Sequence, residues 1–323
     1  TLLRFVEDEE WSRRYQAIGQ LDAVGESSVE FQAVALEGLS DPEPAVRRLC
    51  AEVLGKRPEL ASHAIPELLR ALQDDPEQYV RTEAAEALGA LGPVSDEVMP
   101  ALIRALDDQS GDVAGAANRA LVHIGQPALP LLEARLDNRK IFSVLSRMGE
   151  PGLALLIEAL EHSDAGIRLN AVLEFGQMGP EKAKAAAALA KRLEDPDPEV
   201  RRMVPSAFNR IGPGAAEVVP TMVDFILHKA HARTDEGQSV VFALGEIGPP
   251  AIPGLLQVVA GNTPARLDAI WELGEFGPAA AEQAIPILAP LLQDADPQVR
   301  QFAESALEKL RGNKKPTSRI PET

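Results

Sequence analysis

The feature that most constrains this chain is a helix ending that recurs along it. AEALGALG (85–92), RALVHIG (119–125), FSVLSRMG (142–149), VLEFGQMG (172–179), AFNRIG (207–212), FALGEIG (242–248) and WELGEFG (271–277) align, and weaker copies end at Asp22, Pro58 and Arg311. The ten ends, at 22, 58, 92, 125, 149, 179, 212, 248, 277 and 311, recur with a mean period of about 32 residues. Such a period belongs to helical solenoids, where each helix pair buries its apolar face against its sequence neighbours.

Each unit reads as two helices. The first is Leu-rich and amphipathic, as in Ile65-Pro66-Glu67-Leu68-Leu69-Arg70-Ala71-Leu72. Asp41-Pro42, Asp75-Pro76, Asp195-Pro196 and Asp296-Pro297 then predict a helix N-cap followed by Pro at the first helical position, where no N–H is needed. The second helix runs from a Val-Arg or Ile-Arg pair (46–47, 80–81, 167–168, 200–201, 299–300) to a Gly-Pro stop (92–93, 179–180, 212–213, 248–249, 277–278). Aromatics are 4% of the chain against 45% apolar residues overall, so the core has to come from Ala, Leu, Val and Ile. The expected fold is an all-α superhelix of about ten helix pairs, a single solenoid over 1–311 with a flexible basic tail, 312–323.

The D-P-x-x-x-V-R start, the A-x-P-x-L-L-x-A-L middle and the A-x-x-A-L-G-x-[IFM]-G-P end resemble HEAT repeats, of the short phycobilisome-lyase type. The resemblance covers roughly 2 to 311 and implies the solenoid fold. It leaves function open, because such repeats serve scaffolds, inhibitors, lyases and glycosylases.

Irregular steps mark special places. The step from 125 to 149 predicts a truncated helix pair that bends the superhelix, and the longer step from 212 to 248 contains a polar stretch, His228 to Glu236, that reads as a loop. Pro205 falls inside a second helix and should kink it. Leu2-Leu3-Arg4 matches Leu68-Leu69-Arg70, so the chain is expected to open inside a first helix without a polar cap, and an upstream domain in the parent protein is one expectation that follows.

Charge narrows the partners. The 323 residues carry a net charge of −17, and residues 1–45 hold ten acids against Arg4, Arg13 and Arg14. A nucleic-acid backbone needs clustered Lys and Arg, so the expected partner is a protein; the acidic end either attracts a basic one or serves solubility. No stretch approaches the about 18 apolar residues of a membrane span. Cys50 is the lone cysteine, which excludes an intramolecular disulfide, and the cytoplasm is the expected compartment, with a bacterial periplasm the alternative.

Several residue sets are candidates for chemistry. Asp41 and Arg47, Asp75 and Arg81, Asp195 and Arg201, and Asp294 and Arg300 stand six residues apart. They form either a ligand-binding charge line or, as the resemblance implies, a ladder in which Arg bridges to an Asp of its own or a neighbouring repeat. HEAT-like deoxyhypusine hydroxylase holds iron through His-Glu dipeptides; this chain has five His and no such dipeptide. His228 and His231, with Asp235 and Glu236 behind them, have a spacing able to hold zinc or nickel, against the plainer reading of a solvated loop. Cys50 occupies a core position taken elsewhere by Ala84, Ala117, Ala171 and Ala269, so it reads as a small hydrophobe. No nucleophile elbow or phosphate loop is present, so no catalytic residue and no cofactor are predicted.

Counting each second helix from its Val, offsets 0, 4, 8 and 11 face the core, and offsets 2, 6 and 9 point to the concave surface. Offset 6 is polar in most repeats (Glu52, Glu86, Arg119, Ser143, Ser206, Ser305). Leu173, Phe242 and Trp271 break that rule, joined by Leu169 and Leu267 at offset 2, with the acids Glu246, Asp268 and Glu275 beside them. An apolar strip with an acidic rim fits a partner helix or peptide. Burial between repeats fits equally, because Glu174 and Glu272 at the core-facing offset 7 imply a rotated register. The expected function is a non-enzymatic protein-binding scaffold, the alternatives being a bilin-lyase-like cofactor handler or a spacer and assembly domain.

Overall fold

The computed structural model describes residues 4, 6–26, 28–177, 183–230, 234–261 and 263–312, and their regular elements are all helices. They group into two compact units, 1–156 and 157–323. Leu2, Leu3 and the tail beyond Gly312 lie outside the described residues.

Unit 1 contains α1 (Trp11–Ala23), α2 (Val29–Glu37), α3 (Pro44–Gly55), α4 (Ala61–Asp74), α5 (Gln78–Leu91), α6 (Val98–Ala105), α7 (Gly111–Ile124), α8 (Leu129–Glu133) and α9 (Lys140–Leu145); the division falls within α10 (Glu150–Ala159). The second helices α1, α3, α5, α7 and α9 stack in order, with α2, α4, α6 and α8 as the other layer. The short step from 125 to 149 shows as the two stunted helices α8 and α9.

Unit 2 continues with α11 (Ala165–Phe175), α12 (Ala183–Lys191), α13 (Pro198–Ile211), α14 (Val219–Asp224), α15 (Thr234–Ile247), α16 (Ile252–Ala260), α17 (Arg266–Glu275), α18 (Ala281–Leu288) and α19 (Pro297–Leu310). Here α11, α13, α15, α17 and α19 stack, and α14, α16 and α18 form the outer layer. α13 runs through Pro205 as one helix.

The core follows the 3.6-residue period. Val46, Cys50 and Leu54, then Val80, Ala84 and Leu88, then Val113, Ala117 and Leu121 are buried at offsets 0, 4 and 8, as are Val200, Val204 and Phe208 in unit 2. Gly92, Gly212, Gly248 and Gly277 close their helices with φ between 57° and 88°, a region other residues avoid. After α3 the glycine is missing, and Arg57 caps instead: its guanidinium donates to Val53 O at 2.7 Å and pairs with Asp22 at 2.7 Å.

Consecutive second helices touch through a small-residue seam. A Cβ on Gly55 would fall 2.8 Å from Ala87 Cα, one on Gly89 would fall 2.7 Å from Ala120 Cα, and one on Gly274 would fall 2.9 Å from Ala306 Cα. These backbones approach as closely as glycine allows. Between α15 and α17 the partner of Gly245 is instead the Glu272 carboxylate, in a place where the other seams carry Ala.

Two expectations need correction. The N-caps of α3, α5 and α13 are Glu43, Glu77 and Asp197, two residues after Asp41, Asp75 and Asp195. Asp41, Asp75 and Asp195 accept the N–H two residues ahead in tight Asx turns (2.8, 3.0 and 3.0 Å), so their carboxylates organise the approach to the helix rather than its first turn. Asp296, whose side chain accepts from Gln298 N, does cap α19. The described residues of the polar stretch are also helical: Phe225–Lys229 forms a π-turn and Thr234–Glu236 opens α15, while residues 231–233, His231 among them, lie outside the described residues.

Candidate partner-binding face

The Asp and Arg positions join neighbouring repeats. Arg47 donates to Asp75 at 2.6 and 2.9 Å and Arg81 to Asp108 at 2.9 Å twice; in the same way Arg14 reaches Asp41 and Arg168 reaches Asp195. A further guanidinium nitrogen turns back to the arginine's own repeat, Arg47 donating to Asp41 O, Arg81 to Asp75 O and Arg201 to Asp195 O, and Arg300 makes the same backward bond to Asp294 O. One planar guanidinium thus ties a turn to the turn of the next repeat, work for which a Lys has too few fixed donors. In unit 2, Arg201 takes Glu236 at 2.9 Å, Arg266 takes Asp294 at 3.0 Å, and α15 has Gly237 where an arginine would stand.

The six-residue rule misses Arg14, Asp108, Arg168, Arg266 and Glu236. Their signal is a longer one, an acid 27 to 35 residues after the arginine. Arg81 holds Asp108 below the usual carboxylate range; at Asp195 burial pushes upward, but the Arg168 hydrogen bonds and the Asp197 amide pull the balance below it.

On unit 1 the second-helix face carries charge pairs. Arg48 lies 3.2 Å from Glu83 and 3.8 Å from Glu52, Lys56 is 2.9 Å from Glu52, and Arg119 is 2.6 Å from Glu86. These side chains sit at offsets 2, 3, 6 and 10, and Thr82, Gly115 and the exposed Tyr79 line a cleft of about 340 Å³ between them.

The equivalent face of unit 2 differs in chemistry. Phe242 on α15 is 39% exposed and meets Trp271 of α17 edge-on, ring centroids 6.3 Å apart at 79°. Leu169, Leu173, Leu267 and Trp271 are half-buried, so the strip is neither fully open nor sealed between repeats. Leu173 edges a small crevice with Gly176, Met203, Ser206 and Arg210. Behind Trp271 stands Lys309, 6% exposed, with its ammonium 5.5 Å from the ring centroid and paired to Glu275. Sequence reasoning missed Lys309, whose place depends on how α19 packs on α17. Glu246 is exposed; Asp268 is half-buried and accepts a hydrogen bond from Gln238, burial raising its pKa against that bond.

The other candidates do not gather. Cys50 is fully buried, and desolvation pushes its thiol up to about 12, out of reach as a nucleophile. His228 is exposed, 3.7 Å from Asp224, and Glu236 is turned to Arg201. Among the described residues no three His, Cys, Asp or Glu side chains are placed to hold a metal, and no helix is long and apolar enough to cross a membrane. A cleft of about 410 Å³ lies on the first-helix side, lined in part by Val219, Val223, Leu227, Pro253 and Gly254.

Comparison with known proteins agrees with this architecture. A mutant of Kap121p superposes with a TM-score of 0.56 at 11% identity, covering 96% of this chain and 42% of that one. This chain therefore spans less than half the length of that neighbour. Importin beta (TM-score 0.45, 14% identity, 96% and 51% coverage) and human deoxyhypusine hydroxylase (0.31, 22%, 96% and 95%) are more distant in shape. No curated protein matches the sequence. The family model of HEAT repeats matches residues 1–89, 65–147 and 153–239, in keeping with the paired helices, glycine-closed ends and Asp–Arg ladder, and the chain belongs to the HEAT-repeat family.

Proposed function

We propose that this protein is a scaffold that binds another protein and performs no chemistry on it, and that the second-helix face of unit 2 holds a helix or peptide of the partner. The observation that supports this is Phe242, an exposed aromatic ring set edge-on against Trp271 at the offset where unit 1 places the ion-paired Glu52, Glu86 and Arg119. Large exposed apolar groups cost solubility, and an aromatic on a rigid helix loses little entropy when it is covered. Trp271, steadied from behind by Lys309 and Glu275, gives Phe242 a fixed neighbour.

Affinity capture from cells that make the protein tests the reading, comparing wild type with Phe242→Ala/Trp271→Ala and with Arg48→Ala/Arg119→Ala. The first pair should lose the specific partner and the second should keep it. Because Trp271 is half-buried, Phe242→Ala alone and circular-dichroism melts accompany the pair. A partner retained by folded Phe242→Ala/Trp271→Ala removes the face from consideration.

A further inference from the structure

We propose that the segment docked on unit 2 is a basic amphipathic helix, with its apolar stripe on Phe242, Leu267 and the Leu173–Met203 crevice and its cations beside Glu246 and Asp268. This rests on the docking face proposed above and adds the chemistry of the partner.

Charge supplies the argument. Gln238, Phe242 and Glu246 form one i,i+4 row on α15, and Leu267, Trp271 and Glu275 form another on α17, with Asp268 next to Leu267. Glu275 is already answered by Lys309. Glu246 and Asp268 form no ion pair among the described residues, and Gln238 is the side chain that hydrogen-bonds Asp268. A half-buried carboxylate held by a neutral amide gains from an incoming ammonium or guanidinium. The Lys309 arrangement shows the local preference, an ammonium over an aromatic face with a carboxylate beside it. Phe242 offers the same pairing of ring and carboxylate, open to the outside.

Spacing favours a helix. The two apolar patches, on α11–α13 and on α15–α17, are separated by about two helix-packing steps, roughly 16–20 Å, or three to four helical turns. The face also has direction. α13 presents the exposed Arg210, Arg202 beside it being answered by Glu199, so the cationic half of the partner belongs over α15 and α17.

Two synthetic amphipathic helices with the same Leu pattern, one Lys-faced and one Glu-faced, test this by fluorescence anisotropy on the whole chain. The Lys-faced peptide should bind more tightly. Glu246→Gln/Asp268→Asn should weaken it about tenfold, whereas Glu9→Gln/Glu10→Gln, removing equal charge from unit 1, should leave it unchanged. Equal weakening by both pairs, failure of the Lys-faced peptide to bind, or equal binding of the Glu-faced peptide overturns the proposal. If a bound Glu-faced peptide is released by Phe242→Ala, the face stands and the basic class falls; if Phe242→Ala leaves binding of the Lys-faced peptide untouched, the face itself falls.

Discussion

The second-helix faces of α3, α5 and α7 and of α15 and α17 are cut from the same repeat and finished differently. In the first, glycine sits on alanine at each seam, arginines grip the next turn with two hydrogen bonds, and the surface carries the ion pairs Arg48–Glu83 and Arg119–Glu86. In the second, Glu272 replaces the seam alanine, the ladder arginine gives way to Gly237, and Phe242 and Trp271 stand where charge pairs would be. Three structural rules lapse within one pair of helices. Local rules are broken where another requirement overrides stability, and on that ground the α15–α17 pair is the region proposed for docking.

The largest expected difference between the two regions is at the seams. Gly89→Ala puts a methyl 2.5 Å from Ala120 Cβ and 2.7 Å from its Cα, so two backbones have to part, at a cost of about 3 kcal/mol. Gly245→Ala meets the Glu272 Oε2 at 2.2 Å, and that carboxylate can swing aside, for about 1 kcal/mol. Urea denaturation of both variants checks the order; a larger loss at Gly245 breaks the contrast.

The ladder should rank next. Arg81→Ala strands Asp108 from a two-bond pair and should cost about 2–3 kcal/mol, while Arg201→Ala, with a single bond to the more exposed Glu236, should cost about 1 kcal/mol. Equal losses would show that the bidentate geometry contributes nothing.

Acid sharpens the comparison through sign. Asp108 and Asp195 have folded pKa values below the ordinary one, so their stabilisation is present above the unfolded carboxylate pKa of about 4 and is lost as pH falls through the folded value. Asp268 is shifted the other way: burial penalises its charge, the penalty is absent below the unfolded pKa and complete above the folded one. Asp108→Asn should therefore lower the melting temperature at neutral pH and flatten its fall in acid, whereas Asp268→Asn should raise it slightly at neutral pH. A neutral-pH loss in Asp268→Asn would mean that its carboxylate supports the fold. The smallest effect belongs to Phe242→Ala, within about 0.5 kcal/mol of wild type, because its ring is substantially exposed.

Much of the fold was legible because it is local. The apolar period placed Val80, Ala84 and Leu88 in the core, and Gly92 marked a helix end. The N-caps of α3 and α13 slipped by two residues because Asp41-Pro42-Glu43-Pro44 and Asp195-Pro196-Asp197-Pro198 each hold two candidate starts, and the second proline is the one at which the helix begins; α5 opens at Gln78 with the same spacing and no second proline. Arginine pairing was legible in residue type but not in direction, since Arg47 reaches Asp75 only when the next repeat docks. The exposure of the strip was beyond sequence reasoning for the same reason. It depends on how Glu272 packs over Gly245 and on Lys309 arriving from α19, contacts that span separate repeats.

Site-specific photo-crosslinking tests the central claim most directly, with benzoylphenylalanine placed at position 242 in one sample and at position 82 in another, in cells that make the protein. A discrete crosslinked partner is predicted from position 242 and none from position 82, where Thr82 lies on the charge-paired face of unit 1. The same partner from both positions, or a partner from position 82 alone, would contradict it.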